Sequence, residues 1–155
     1  MTTTKDANIN QHVGFDVRKE ATKLWTQMSK QNESRELSPR RMPRLAQMPT
    51  IILHQCNREG SSGLFYRGEY KITLSLGRDT VDAWQTLAHE LNHAAGFEFH
   101  DRLFYNSLKV IIEKRWKTRI SFYEVTRYGY AVDYMMRDQL KKNKTVNFES
   151  KKVSV

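Results

Sequence analysis

Thr86-Leu-Ala-His-Glu-Leu-Asn-His-Ala-Ala-Gly-Phe-Glu-Phe-His100 is the stretch on which the reading of the whole chain turns. Within it, His89, Glu90 and His93 form an H-E-x-x-H run, and a further histidine, His100, follows just past Gly96. On an α-helix, residues four apart lie one turn apart on the same face. Both imidazoles can therefore reach one cation, with Glu90 beside them to hold and deprotonate a water. The pattern points to metal-assisted hydrolysis, with one zinc ion per chain as the expected cofactor.

The flanking residues supply the helix that the motif needs. Val81, Trp84, Leu87, Ala88, Leu91 and Ala95 recur at helical spacing as an apolar stripe. Asp79 is a plausible N-cap, Asp82 is well placed in the first turn, and Gly96 can end the helix in the left-handed conformation. Immediately upstream, Tyr70, Ile72, Leu74 and Leu76 alternate with Lys71, Thr73 and Ser75, which predicts a strand with one buried face. Leu64–Tyr66 and the Arg67-Gly68 pair make it one arm of a hairpin. Downstream, Leu103, Phe104, Leu108, Ile111, Ile112 and Trp116 predict a second helix over 101–116. A third is expected from about Ser121 to Leu140, with Gly129 as its weak point.

Toward the N-terminus the signal thins. Thr50–Cys56 reads as a short buried strand, and Val17, Ala21, Leu24, Trp25 and Met28 give an amphipathic helix with Arg18, Lys19, Glu20 and Lys23 in water. Residues 1–14 carry no pattern and are expected to form a flexible arm. Between helix and strand lies a polar connection broken by Pro39, Pro43 and Pro49. Its Arg40, Arg41 and Arg44 make it the first place to expect a phosphate contact. The last stretch, 141–155, holds five lysines and reads as a basic tail. That leaves 15–140 as a single domain of α+β class.

Bulk composition narrows the setting. A chain of 155 residues that is 39% hydrophobic and 28% charged can bury a core of its own. No apolar run approaches the length of a membrane span, so no membrane partner is expected, and Met1-Thr-Thr-Thr-Lys-Asp6 lacks the apolar core of a secretory signal. One cysteine, Cys56, excludes an internal disulfide and a four-cysteine zinc ribbon, which fits a reducing, cytoplasmic setting. The formal net charge of +9 favours phosphate-rich partners, DNA above all, through the basic loop and tail. The plainer alternative is a basic protein whose charge serves solubility.

A hydrolytic zinc site takes three protein ligands and keeps a fourth position open. His89 and His93 give two, and His100 is the leading third, since the glycine before it lets the chain reverse. Asp133 or Glu124 on a later helix are the carboxylate rivals, and Glu98 is a weaker one. The metzincin spacing H-E-x-x-H-x-x-G-x-x-H does not apply, because its last position is occupied here by Phe99 and the histidine comes one residue later.

The stretch from Tyr70 to about Trp116 resembles the SprT-like metalloproteases, including the Spartan-type DNA–protein crosslink proteases. It has the alternating strand, the helix with Leu-Ala-His-Glu-Leu-x-His-Ala, a short loop, a third histidine and an aromatic-bearing helix starting His100-Asp-Arg-Leu-Phe104. The resemblance implies a minimal zincin-like domain: a small, mostly antiparallel sheet with an active-site helix and flanking helices. By position it makes His89, His93 and His100 zinc ligands and Glu90 the general base of an endopeptidase acting on protein or peptide. It also makes the strand carrying Tyr70, Ile72 and Leu74 the edge on which a peptide lays itself. The mechanism also calls for a Tyr, His or Arg in the cleft to hold the oxyanion, with Tyr123, Tyr128 and Tyr130 as candidates. The cysteine-rich ribbon of several members is missing, and the small, spare chain suggests a phage or bacterial protein acting inside a host cell. The competing expectation is a non-proteolytic zincin-fold protein of DNA-binding or antirestriction type.

Overall fold

The computed structural model describes residues 3–34, 47–127 and 129–142. They form an α+β domain of six helices and a mixed three-stranded sheet in the order α1 (Thr4–Val13), α2 (Val17–Glu33), β1 (Thr50–Gln55), β2 (Ser62–Tyr66), β3 (Lys71–Leu76), α3 (Thr80–Ala94), α4 (Arg102–Trp116), α5 (Phe122–Arg127) and α6 (Gly129–Lys142). The arginine loop with Arg40, Arg41 and Arg44, and the tail beyond Lys142, lie outside the described residues. None of the described helices is long and apolar enough to cross a membrane.

The sheet order is β1-β3-β2, so β3 is central. Its alternation is realised as expected: Ile72, Leu74 and Leu76 are fully buried, while Lys71, Thr73 and Ser75 are partly exposed. Two expectations about the sheet are corrected. It is not mostly antiparallel, because β1 runs parallel to β3, with Thr50 opposite Lys71 and Gln55 opposite Leu76, and only β2 is antiparallel. Nor is the strand with Tyr70, Ile72 and Leu74 an edge, since it is paired on both sides. Ile72 and Leu74 belong to the core, and Tyr70 precedes the strand at φ 50° with its hydroxyl donating to Ala94 O at 3.3 Å. A hairpin announces itself through its turn, whereas β1 meets β3 across an intervening strand that carries no local sign of direction.

The N-terminal segment is likewise no free arm. Thr3 caps α1 by accepting from Asp6 N at 3.0 Å, and α1 buries Ile9 and Val13 beside β1. Asp6 pairs with Arg18 at 2.6 Å, whose Nη1 also donates to Ile51 O, so helix, helix and strand are tied through one guanidinium. Two apolar residues one turn apart are too few to give a periodic signal in the sequence.

The deepest polar contact joins the helices. Glu20, expected in water, is 3% exposed. Its carboxylate accepts from Arg115 Nε and Nη2, both at 2.7 Å, and from Trp84 Nε1 at 2.7 Å, locking α2, α4 and α3 together. Trp84 and Trp116 meet edge to face beside it, with centroids 5.3 Å apart. Removing one partner of such a buried pair leaves an uncompensated charge, which costs about 3–5 kcal/mol. Glu20→Ala is therefore expected to destabilise the fold by about 3 kcal/mol in urea denaturation, and Arg115→Met in the same chain to recover a large part of that loss.

Candidate metal centre

β3 hands the chain to α3 through Gly77, and the Asp79 carboxylate caps the helix by accepting from Asp82 N at 3.1 Å. Val81, Trp84, Leu87, Ala88 and Leu91 bury the core side of α3, so His89 and His93 emerge one turn apart on the side facing β2. Their rings stand 4.9 Å apart. Gly96, at φ 121°, then reverses the chain, a conformation open to glycine at little cost. The returning loop brings His100 back so that its Nε2 lies 3.0 Å from Nε2 of both His89 and His93. One ligand atom from each of the three lies within 4.8 Å of the others, close enough for a single metal ion.

The chemistry of this donor set fits a metal. His93 Nδ1 lies 2.8 Å from Phe97 O; donating there, it leaves the Nε2 lone pair aimed at the cluster. Three ring nitrogens turned on one another are held by a shared cation or by N–H···N hydrogen bonds, and their convergence on one point is what a metal ion needs. Burial, reinforced by the neighbouring imidazoles of His93 and His100, pushes His89 down to about 4, and burial also lowers His93. Both rings are thus neutral ligands at physiological pH. An all-imidazole set suits zinc, copper, iron or nickel, and three ligands would leave a further coordination position open.

The residues around the cluster were not singled out in the sequence as parts of a site. Phe104 forms its floor, with ring centroids 4.8, 4.7 and 5.0 Å from His89, His93 and His100. Asn92, inside the H-E-x-x-H run and fully buried, donates from Nδ2 to Phe104 O at 3.0 Å and accepts from Ser107 Oγ at 2.7 Å. This bridge fixes the start of α4, which Asp101 also caps by accepting from Phe104 N. The sequence clue was available: Ser107 interrupts an apolar stripe, and a polar residue on a core face needs a partner.

Glu90 lies beside the cluster and is 7% exposed. Burial pushes its carboxyl up to about 7. β2 passes directly over it at Gly63, where an added Cβ would sit 2.8 Å from Glu90 Cγ and 2.9 Å from Leu74 Cδ2. Glu90, Gly63 and the three histidines, with Leu64, Phe65, Arg67, Gly96 and Glu98, line a cleft of about 660 Å³. The outer edge of β2 pairs with no described strand. A larger hollow of about 840 Å³ lies between the start of α3 and α6, away from the histidines.

The carboxylate rivals for the third ligand position are engaged elsewhere. Asp133 holds Arg137 at 2.6 Å, Glu124 accepts from Ser121 N at 3.0 Å, and Glu98 pairs with Arg67 on the cleft rim. No tyrosine lines the cleft among the described residues; Tyr123 is 52% exposed on α5, Tyr128 lies outside the described residues, and of Tyr130 only the backbone is described.

The chain matches no known protein family, no curated protein and no solved structure.

Two outcomes are expected. Asn92→Ala should weaken metal binding about 10–100-fold in competition with a chelator, because the support of a ligand is tuned almost as tightly as the ligand itself. The second concerns pH. The metal-free folded state holds the Glu90 proton between the ordinary value of 4.5 and about 7. The stability this contributes is complete below pH 4.5 and lost as pH rises through 7. Urea melts of chelator-treated protein should therefore show Glu90→Gln gaining about 3 kcal/mol on wild type between pH 4 and pH 8.

Proposed function

We propose that this protein is a zinc-dependent endopeptidase of zincin type, and that the SprT-like resemblance reflects its activity. The observation that carries the reading is the buried Glu90 carboxylate beside three converging imidazoles, in a cleft bordered by an open strand edge. A purely structural metal site has no use for that carboxylate. Zinc, when bound, supplies Lewis-acid polarisation of the scissile carbonyl and makes water acidic enough to attack near neutral pH.

The chain's own residues do the rest. Glu90 takes the proton of the attacking water and delivers it to the leaving amine. Gly63 keeps the space over Glu90 clear, because any side chain there would press on the carboxylate. A substrate polypeptide lies along the outer edge of β2, pairing with its backbone, with Leu64 and Phe65 along its path; this role moves from Tyr70, Ile72 and Leu74 to the strand whose outer edge pairs with no described strand. Arg67 is the cation on the cleft wall and can face the developing oxyanion once it leaves Glu98.

A second reading, a non-proteolytic zincin-fold protein that binds DNA, draws on the net charge of +9. Glu90 separates the two. Elemental analysis should give about one zinc per chain for both wild type and Glu90→Gln. Cleavage of a labelled unfolded protein should fall about 10²–10⁴-fold in the variant. Zinc retained with undiminished cleavage would sink the mechanism, and zinc with no cleavage in wild type would favour the second reading.

A further inference from the structure

The cations of this protein are unevenly matched. Arg18 is held by Asp6, Arg115 by Glu20, Lys109 by Glu113 and Arg137 by Asp79 and Asp133. Others, Lys5, Arg58, Arg78, Arg102, Arg119 and Lys141 among them, have no ion pair among the described residues, and four more of that kind gather along the seam between α2 and α4. Lys23 and Lys30 on α2, and Lys114 and Lys117 at the end of α4, are all exposed, and among the described residues none has a carboxylate within ion-pairing distance.

The packing of the two helices brings these charges together. Glu20 meets Arg115, Gln27 Nε2 donates to Ile111 O at 3.1 Å, and Gln31 Nε2 donates to Val110 O at 3.4 Å. As α2 advances, its partners on α4 recede, so the helices are antiparallel and Lys23 stands level with Lys114. Lys19, Lys23 and Lys30 are spaced by four and seven residues, which places them along one side of α2. That side adjoins the one from which Gln27 and Gln31 reach α4. The row from Lys23 to Lys30 spans about 10 Å at the helical rise. Over that length one strand of a duplex carries about three phosphates.

We infer that the α2–α4 seam is a nucleic-acid backbone site, read through phosphates and without base specificity. Thr22 and Thr26 separate the lysines, and α2 exposes no large apolar side chain; the one exposed on α4, Leu103, is at the opposite end of that helix from Lys114. The surface therefore offers charge and hydrogen bonds to a phosphate row and nothing to insert into a bilayer. None of the seam lysines lines the metal cleft, so the site stands apart from the chemistry proposed there. It also differs from the arginine loop that the sequence nominates.

The test is fluorescence anisotropy of a short labelled DNA duplex with the full chain across a salt series, using wild type, Lys23→Gln/Lys30→Gln/Lys114→Gln, and Arg40→Gln/Arg41→Gln/Arg44→Gln. Wild type should bind at low salt and lose affinity steeply as salt rises. The lysine variant should bind at least about tenfold more weakly at low salt, with a log–log salt slope shallower by about 3, near 0.9 for each lost phosphate contact. Circular dichroism and metal content, unchanged in the variant, exclude a folding defect, and each single lysine substitution should remove about one unit of slope. The site is overturned if wild type does not bind the duplex, if the lysine variant binds like wild type while the arginine variant does not, or if phosphatidylserine vesicles bind through these lysines and the duplex does not.

Discussion

The carboxamide of Asn92 holds this structure's candidate site in shape. It belongs to the helix that carries two of the histidines, yet it turns inward, giving a proton to Phe104 O and taking one from Ser107 Oγ. Buried polar groups are costly unless satisfied, so this pair of bonds leaves α3 and α4 little freedom to slide or rotate against each other. Phe104 is thereby set beneath all three imidazoles, and the loop between the helices is constrained at both ends. The third histidine is then brought to the other two by a single glycine reversal. The bridge adds to the Asp101 cap in fixing the far end of the loop that carries His100.

The same economy governs charge. Carboxylates that could have competed for a metal are consumed by guanidinium groups or backbone amides, as with Asp133, Glu98 and Glu124. Glu20 is spent deep in the interior, where it joins three helices and has nothing to do with the cleft. Glu90 is the exception, a buried acid lining the cleft whose carboxyl is pushed up by burial alone. An acid so placed costs stability when ionised, as functional groups commonly do.

Local pattern was legible wherever periodicity and function coincided. The alternation of β3 and the stripe of α3 placed the histidines on a helix facing away from the core, and the spacing past Gly96 predicted that His100 would join them. What could not be read were relations between distant segments. Nothing in Thr50–Gln55 states that it will run parallel to β3, and nothing in Ser62–Tyr66 states that it, and not β3, will carry the free edge. Glu20 looked like a solvated residue because its partners lie 64 and 95 positions away. Asn92 was hidden for another reason: the motif's middle positions are read as variable, so their own packing is easily overlooked.

The parallel pairing of β1 with β3 also orders events in time. β2 and β3 are joined by a turn and can zip together locally, whereas β1 finds its partner β3 only across the intervening β2 segment. Closing the intervening loop is an entropic toll collected before any of the β1 contacts form. α1 packs beside β1, and α2 against α3 and α4, all elements that come after them in the chain. In a nascent chain the buried face of α2, with Leu24, Trp25 and Met28, is made before α3 and α4, the helices that pack against it.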